Sequence, residues 1–356
     1  ASRAIEGLGI FSLAAGVVST RHVVHTTDGK EVGEWGIRKW GPSDTKSAPK
    51  RTNVHIARQA LRLELLDQLG GHEVVQWGHQ LVDFHSETQN AAVSLNFLVD
   101  GELKTAEADL VVGADGALSK VREQAGLGQY REQYEQHAFV CTVEYQGKQE
   151  DITWQSFTAH GPIAFLPLSD SGGAQYASLV WYDHAEQIQA LKAMDDTELL
   201  NTLQKTYPDD LPQLNKVVAR ASFPLFKSHA LAYVKQGLAL AGDAAHTINP
   251  LAGQGVNLGF LDAAVLIEVL GQAVLNDQDI ASLEVLKEYQ QRRRSENQMM
   301  MSIMDAFYYG FSNDKLPLRI VRNISLGLAN HVNFAKNNVM KYAIGATGKL
   351  PKLAQS

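Results

Sequence analysis

Between residues 130 and 224 apolar and polar positions alternate in short runs, HAFVCTVEY, DITWQSFTAHGPIAFLPL, AQYASLVWY and NKVVARASFPL. This period of two, with its aromatic content, predicts an antiparallel sheet with one face buried. Residues 185–207 interrupt it with apolar positions at helical spacing. Nearer the start, residues 21–40 hold strand-like runs around Asp28-Gly29, a hairpin signal, and residues 41–50, rich in Pro, Ser and Lys, read as a surface loop. Residues 53–69 carry apolar positions at helical spacing and end at Gly70-Gly71, which predicts a helix packed on a sheet. Residues 287–343 are mostly helical in pattern.

Two further segments share a form: a short apolar strand that ends in an acidic turn. Residues 108–113 lead into Asp115-Gly116, with Ser119 and Arg122 on the helix that follows. Residues 238–241 lead into Gly242-Asp243, then a glycine-rich loop with Pro250, then an apolar helix whose first turn contains Gly253, Gly255 and Asn257. A strand that re-enters a helix through glycines sets a carboxylate and free backbone N–H groups around one cavity, suited to a polar, electron-rich ligand. The pattern alone would serve any phosphate or anionic ring.

Composition narrows the class. At 356 residues the chain can bury a large core and divide into two lobes. A net charge of −7 argues against a nucleic-acid-binding surface. Cys141 is the only cysteine, so no intrachain disulfide forms and a reducing cytoplasm is compatible. No run approaches the roughly 20 uninterrupted apolar residues of a membrane span. A zinc hydrolase is excluded because His72-Glu73 is followed by Gln76 where a second His is needed, and a G-x-S-x-G elbow is absent.

The string GDAAHTINPLAGQGVN, from Gly242 to Asn257, resembles the cofactor segment of class A flavin-dependent aromatic monooxygenases, the para-hydroxybenzoate hydroxylase-like family. DGALSKVR, from Asp115 to Arg122, resembles that family's Asp-Gly fingerprint, in the correct order before it. The resemblance implies an α/β fold, with a Rossmann-like FAD-binding domain of the GR2 type, an antiparallel substrate domain and a C-terminal helical region. It implies FAD contacts from Asp115, Gly116, Ser119, Arg122, Gly242, Asp243, Pro250, Gly253, Gln254, Gly255, Val256 and Asn257. Asp243 would hold the ribityl chain, Pro250 would lie beside the isoalloxazine, and the helix start would face its N1–C2=O edge, where a helix N-terminus stabilises negative charge. An Arg at the start of the helix over residues 53–69 carries over to Arg58, with Arg62 as the solvent-side alternative. The substrate lobe would roof the ring with Phe157, Gly161, Pro162, Phe165, Leu166 and Pro167, residues that could equally be plain core.

The same family opens with a G-x-G-x-x-G unit that the chain does not contain, so the N-terminal unit is expected to be missing. The implied organisation is a remnant of the FAD domain at 1–20, a substrate-domain hairpin and loop at 21–50, FAD-binding segments at 51–129 and 231–275, a substrate sheet at 130–230 and C-terminal helices at 276–356. Within the family, TWQSFTAHGPIAFLPL, SLVWYD and DAFYYGFSNDKLPLRIVRNISLGL resemble the ubiquinone-biosynthesis hydroxylases. This implies hydroxylation of a prenylated phenol or benzoquinol through a flavin C4a-hydroperoxide, with molecular oxygen and NAD(P)H or another reductant as partners. A single-ring phenol hydroxylase, or a truncated non-catalytic flavoprotein serving as an assembly or lipid-binding partner, are the alternatives. No metal and no catalytic triad are expected. No catalytic base is identified; His246 reads as a loop-ordering residue before a catalytic one, and His160 is no better supported. Arg292–Arg294 with Phe307, Tyr308, Tyr309 and Phe311 suggest peripheral contact with the inner membrane or a biosynthetic complex, against the plainer reading of a solvated helix face and a core methionine stripe at 299–301.

Overall fold

The computed structural model describes residues 75–85, 92–148, 152–158, 160–171, 173–207, 211–250 and 255–311, with short pieces at 17–19, 21–25, 31–34, 53–55, 65–69 and 351–352. The chain opens with β1 (Val17–Ser19), β2 (Arg21–His25), β3 (Glu31–Glu34) and β4 (Asn53–His55). A meander follows, β5 (Gln80–His85), β6 (Val93–Val99) and β7 (Glu102–Ala108), then β8 (Val111–Gly113) and the short helix α1 (Lys120–Gln124). Next come β9 (Gln129–Tyr145), β10 (Ile152–Phe157), β11 (Pro162–Ser171), β12 (Ala174–His184), and the helices α2 (Ala185–Ala193) and α3 (Asp196–Thr206). The last part holds β13 (Leu214–Ala230), β14 (Val234–Lys235), β15 (Leu238–Leu240), a 3-10 turn (Gly242–Ala244), β16 (His246–Thr247), α4 (Gly255–Leu275) and α5 (Leu283–Phe311).

The alternating runs form one eight-stranded sheet, in the order β16-β13-β9-β12-β11-β10-β2-β3. Its pairs are antiparallel except for β2 beside β10, which runs parallel with His22 opposite Thr153. The expected hairpin is present as β2 against β3, Val23 opposite Glu34. One face of the sheet is covered by α2 and α3, where Phe139, Cys141, Leu179, Ile188, Leu191, Leu199 and Leu203 form a core. Asp195 begins α3 by accepting from the Glu198 backbone N–H at 2.8 Å, as an N-cap Asp should.

A second core lies under the acidic turns. β15 pairs parallel with β8 and antiparallel with β14. Leu238, Ala239, Leu240, Val265, Val269, Leu286 and Tyr289 pack there, joining the strands to α4 and α5. α5 also reaches the sheet: Tyr308 packs on Tyr134 of β9, ring centroids 4.5 Å apart and tilted, in a cluster with Ala138, Tyr182 and Leu225. The Asp305 carboxylate accepts from Tyr134 Oη and from Lys227 Nζ, each at 2.6 Å.

The helix expected over residues 53–69 does not start at Asn53. Asn53–His55 is strand β4, antiparallel to β1 with Val18 opposite Val54, and only residues 65–68 of that stretch are described as helical. A partner strand far away in sequence supplied the backbone hydrogen bonds that a local periodicity cannot foresee. The expected FAD-domain remnant at 1–20, apart from residues 17–19, and the helical pattern beyond Phe311 lie outside the described residues.

Candidate functional site

Both acidic turns stand at the carboxyl end of the parallel pair β8 and β15, where open α/β sheets place ligand contacts. At the first, Asp115 turns back on its own segment. One carboxylate oxygen accepts from Ser119 Oγ at 2.5 Å, the other from the Val121 backbone N–H at 3.1 Å, and Ser119 Oγ caps Arg122 N at 2.9 Å. Gly116 sits in the left-handed region at φ +85°, which suits the turn to glycine. Arg122 is 5% exposed. Its guanidinium donates to Ala117 O at 3.1 Å and to Ala244 O at 2.7 Å. Burial lowers its pKa, with Asp115 opposing that shift. The spacing D-G-x-x-S-x-x-R thus builds a cap whose last residue ties the first acidic turn to the second.

The second turn is held from below. Gly242 has φ +61°, and its N–H donates to Asp262 Oδ2 of α4 at 3.0 Å. Asp262 is fully buried, and four donors meet it: Gly242 N, His246 Nε2 at 2.6 Å, Arg293 Nε at 2.7 Å and Asn297 Nδ2 at 3.1 Å. Burial alone would push its carboxyl up; His246 and Arg293 outweigh burial and hold it below the usual carboxylate range. Asn297 also donates to Tyr233 Oη at 3.2 Å, which lies 2.8 Å from His229 Nε2. Asp243, next to this anchored glycine, is exposed, and Pro250 is half-buried. At the start of α4, Gly255 and Asn257 are half-buried, a Cβ on Gly255 would meet nothing, and Val256 is 65% exposed. Arg58, Gly253 and Gln254 lie outside the described residues.

The anticipated pocket residues divide between the two faces of the sheet. Phe165 pairs with Trp154 and Leu179 and packs in the core against α2 and α3, so it does not look toward the acidic turns. Strand alternation puts Pro167 on the same side. Pro162 and Leu166 belong to the opposite face, with Val180 and Tyr182, and Tyr182 Oη donates to Pro250 O at 3.4 Å. Gly161 has φ +148°, and a Cβ there would lie 2.7 Å from Tyr182 O. Its lack of a side chain therefore serves the approach of Tyr182. Phe157 ends β10, and its side chain lies outside the described residues.

The arginine run is not a solvated face. Arg293 is 1% exposed and pairs with Asp262 and Glu296, while Arg292 pairs with Glu268 at 2.6 Å. Met300, Met301 and Met304 are core, whereas Met299 and Tyr309 are exposed. α4 is the one described helix long and apolar enough to cross a membrane, although Asp262 and Glu268 lie on it. His246 is 1% exposed and bound to Asp262, an ordering position. His160, Asp183 and His184 bring possible metal-ligand atoms within 4.8 Å of one another. Both Asp183 oxygens already accept hydrogen bonds, from Trp181 Nε1 and His184 N.

Sequence reasoning passed over Asp262 and Asn297, and took Arg293 only as part of a basic run. The signal was available: a carboxylate inside the apolar string GFLDAAVL must find buried partners.

The chain is 48% identical over 247 residues to 3-demethoxyubiquinol 3-hydroxylase of Escherichia coli (strain K12), a match covering 68% of this chain and 62% of that one. It is 37% identical to ubiquinone hydroxylase UbiL of Rhodospirillum rubrum, covering 70% of this chain and 56% of that one. The matches thus span less than two thirds of these relatives' length. In fold, it is similar to p-nitrophenol 4-monooxygenase from Pseudomonas putida DLL-E4, with a TM-score of 0.77 at 17% identity over 97% of this chain and 86% of that one. Klebsiella pneumoniae HpxO, solved with FAD and uric acid, gives a TM-score of 0.73 at 20% identity, covering 98% and 86%. The FAD binding domain family matches residues 47–303, most of the chain, and the protein belongs to that family.

Proposed function

We propose that the protein is an FAD-dependent monooxygenase that hydroxylates an aromatic ring, with a prenylated phenol or benzoquinol as substrate, molecular oxygen as co-substrate and NAD(P)H or another reductant. The observation that carries this reading is the meeting of the two acidic turns at one strand end, tied by the Arg122 to Ala244 contact, beside the start of α4. The residues present suit FAD. α4 offers first-turn N–H groups for the anionic edge of a reduced flavin, beside Gly255, which carries no side chain to stand in its way. Asp243 is exposed on the turn that Gly242 begins, where a polyol chain would reach it.

FAD, when bound, supplies oxygen activation and transfer to the ring. This chain's residues would bind and orient it: Asp115, Gly116, Ser119 and Arg122 through the first turn, and Gly242, Asp243, Pro250 and the start of α4 through the second. Arg58, Gly253 and Gln254 remain in the proposed set by resemblance. The apolar sheet face with Leu166 and Val180, and Tyr182 on the Pro250 carbonyl, would exclude water above the ring. Identity to the two ubiquinone-pathway hydroxylases supports a quinol-type substrate. A polyprenyl tail partitions into bilayers, and the exposed apolar residues Ile267, Val274 and Leu275 of α4 support peripheral membrane contact.

The test is the visible spectrum of the purified chain with its intact mass, followed by FAD titration and a hydroxylation assay on prenylated phenols. The expected result is saturable flavin binding that Asp243→Ala weakens. A chain of full mass that takes up no FAD would refute the reading for this chain and favour the truncated, non-catalytic alternative.

A further inference from the structure

We propose that Asp262 is a positioning residue for the cofactor turn: from the buried face of α4 it fixes the Gly242–Ala244 turn, and α5 holds it in place. This rests on the FAD reading and names the device that shapes that site.

An ionised carboxylate with no exposure is expensive unless its lone pairs are filled. Here they are filled by two groups of the turn segment, Gly242 N and His246 Nε2, and two of α5, Arg293 Nε and Asn297 Nδ2. The same turn is pinned at both flanks. Tyr289 Oη donates to Leu240 O at 2.7 Å, and Arg122 donates to Ala244 O at 2.7 Å. Two carbonyls and one amide within five residues are therefore each held by a side chain from another element. Gly242 is the central one: at φ +61° its N–H is directed at α4, and Asp243 follows on the exposed side. Gly242 also packs against Gly259 of α4, where a Cβ on Gly259 would lie 3.5 Å from the Gly242 Cα. The turn thus lies directly on the helix whose first residues face the cofactor, and a shift of Asp262 moves both.

A network that only adds stability can be exchanged for an apolar pair; one that sets a turn cannot. The double variant Asp262→Leu/Arg293→Leu removes both buried charges together and leaves the Gly242 N–H without its acceptor. Leu199→Ala, in the distant core against the other sheet face, serves as a control for lost stability. FAD affinity is read by quenching of flavin fluorescence, and backbone amide exchange is followed across residues 240–245. In the double variant FAD affinity should fall at least about tenfold and Gly242 should lose its exchange protection, while the control keeps both at a similar loss of melting temperature. A smaller loss of affinity overturns the proposal. If the unsubstituted chain takes up no FAD, the FAD reading fails by itself. Amide exchange then decides the positioning role: protection kept in the double variant overturns it, and protection lost there but kept in the control supports it.

Discussion

His229 is a buried imidazole with a cost attached to its protonation. It is 7% exposed, and its ring nitrogen lies 2.8 Å from Tyr233 Oη. Burial first, then Arg294 and His246, push its pKa down from 6.5 to about 4, with Asp262 opposing. The unfolded chain takes up that proton near the ordinary value, so between the two pKa values the unfolded state binds more protons. The stability it contributes is whole above about pH 6.5 and is lost as pH falls toward 4, on the order of 3 kcal/mol at the acid end. His229→Gln, which keeps a polar partner for Tyr233, should flatten the fall in melting temperature between pH 7.5 and 4.5. Superimposable pH profiles for parent and variant would rule this out. The residue scale is also where the sequence was least legible. Asp115 and Arg122 were singled out by resemblance to a family fingerprint; Asp115 caps α1 locally, but the reach of Arg122 to Ala244 depends on a contact between residues far apart in the chain. Gly161 was expected at the pocket; what requires a glycine there is the Tyr182 backbone, which no local pattern encodes.

At the scale of elements, what was legible was what a period could carry. β9, β12 and β13 announce themselves by alternation because the sheet has one face against α2 and α3, and the buried side chains recur every second residue. β4 was hidden because a three-residue strand has no period to read and its pairing comes from β1. α5 was recognised as a helix but its arginines were misjudged, since only the fold reveals that Arg293 points at Asp262 and Arg292 at Glu268. α5 is also tied to β9 and β13 through Asp305. Lys227, with a side chain 10% exposed, would lose its 2.6 Å partner in Asp305→Ala and keep only Glu132 at 3.1 Å. Removing one partner of a mostly buried pair costs about 3 kcal/mol, and less where a second carboxylate remains. Asp305→Ala should therefore lower the unfolding free energy by roughly 2 kcal/mol, and Lys227→Met/Asp305→Leu should recover most of it. Urea titration checks this, and full stability in the single variant would show that Glu132 suffices.

At the scale of the whole molecule, one surface is left over by both cores. α4 buries Leu258, Leu261, Val265, Leu266 and Val269 on one side. Its other side leaves Val256, Ile267, Val274 and Leu275 at 65%, 59%, 63% and 79% exposure, with Val274 two turns beyond Ile267 on the same face and Leu275 next to it. A lone exposed Leu means nothing, but a contiguous apolar stripe marks a surface that meets something. The helix does not pass through a bilayer as it stands, because Asp262 on its inner side is bonded to Arg293 of α5 and Glu268 to Arg292. It could lie on one. An apolar stripe buried in the acyl boundary gains by area and is insensitive to salt, whereas attachment through a basic run weakens as salt is added. With Arg293 buried on Asp262 and Arg292 paired to Glu268, co-sedimentation with neutral phosphatidylcholine vesicles should change little between low and high salt. Ile267→Lys/Val274→Lys should abolish it without altering the circular dichroism spectrum. Binding that requires anionic lipid and disappears at high salt would place the contact elsewhere. If the parent protein instead associates with itself, and the same double variant makes it monomeric while vesicles are ignored, the stripe is a protein contact and the membrane contact is refuted.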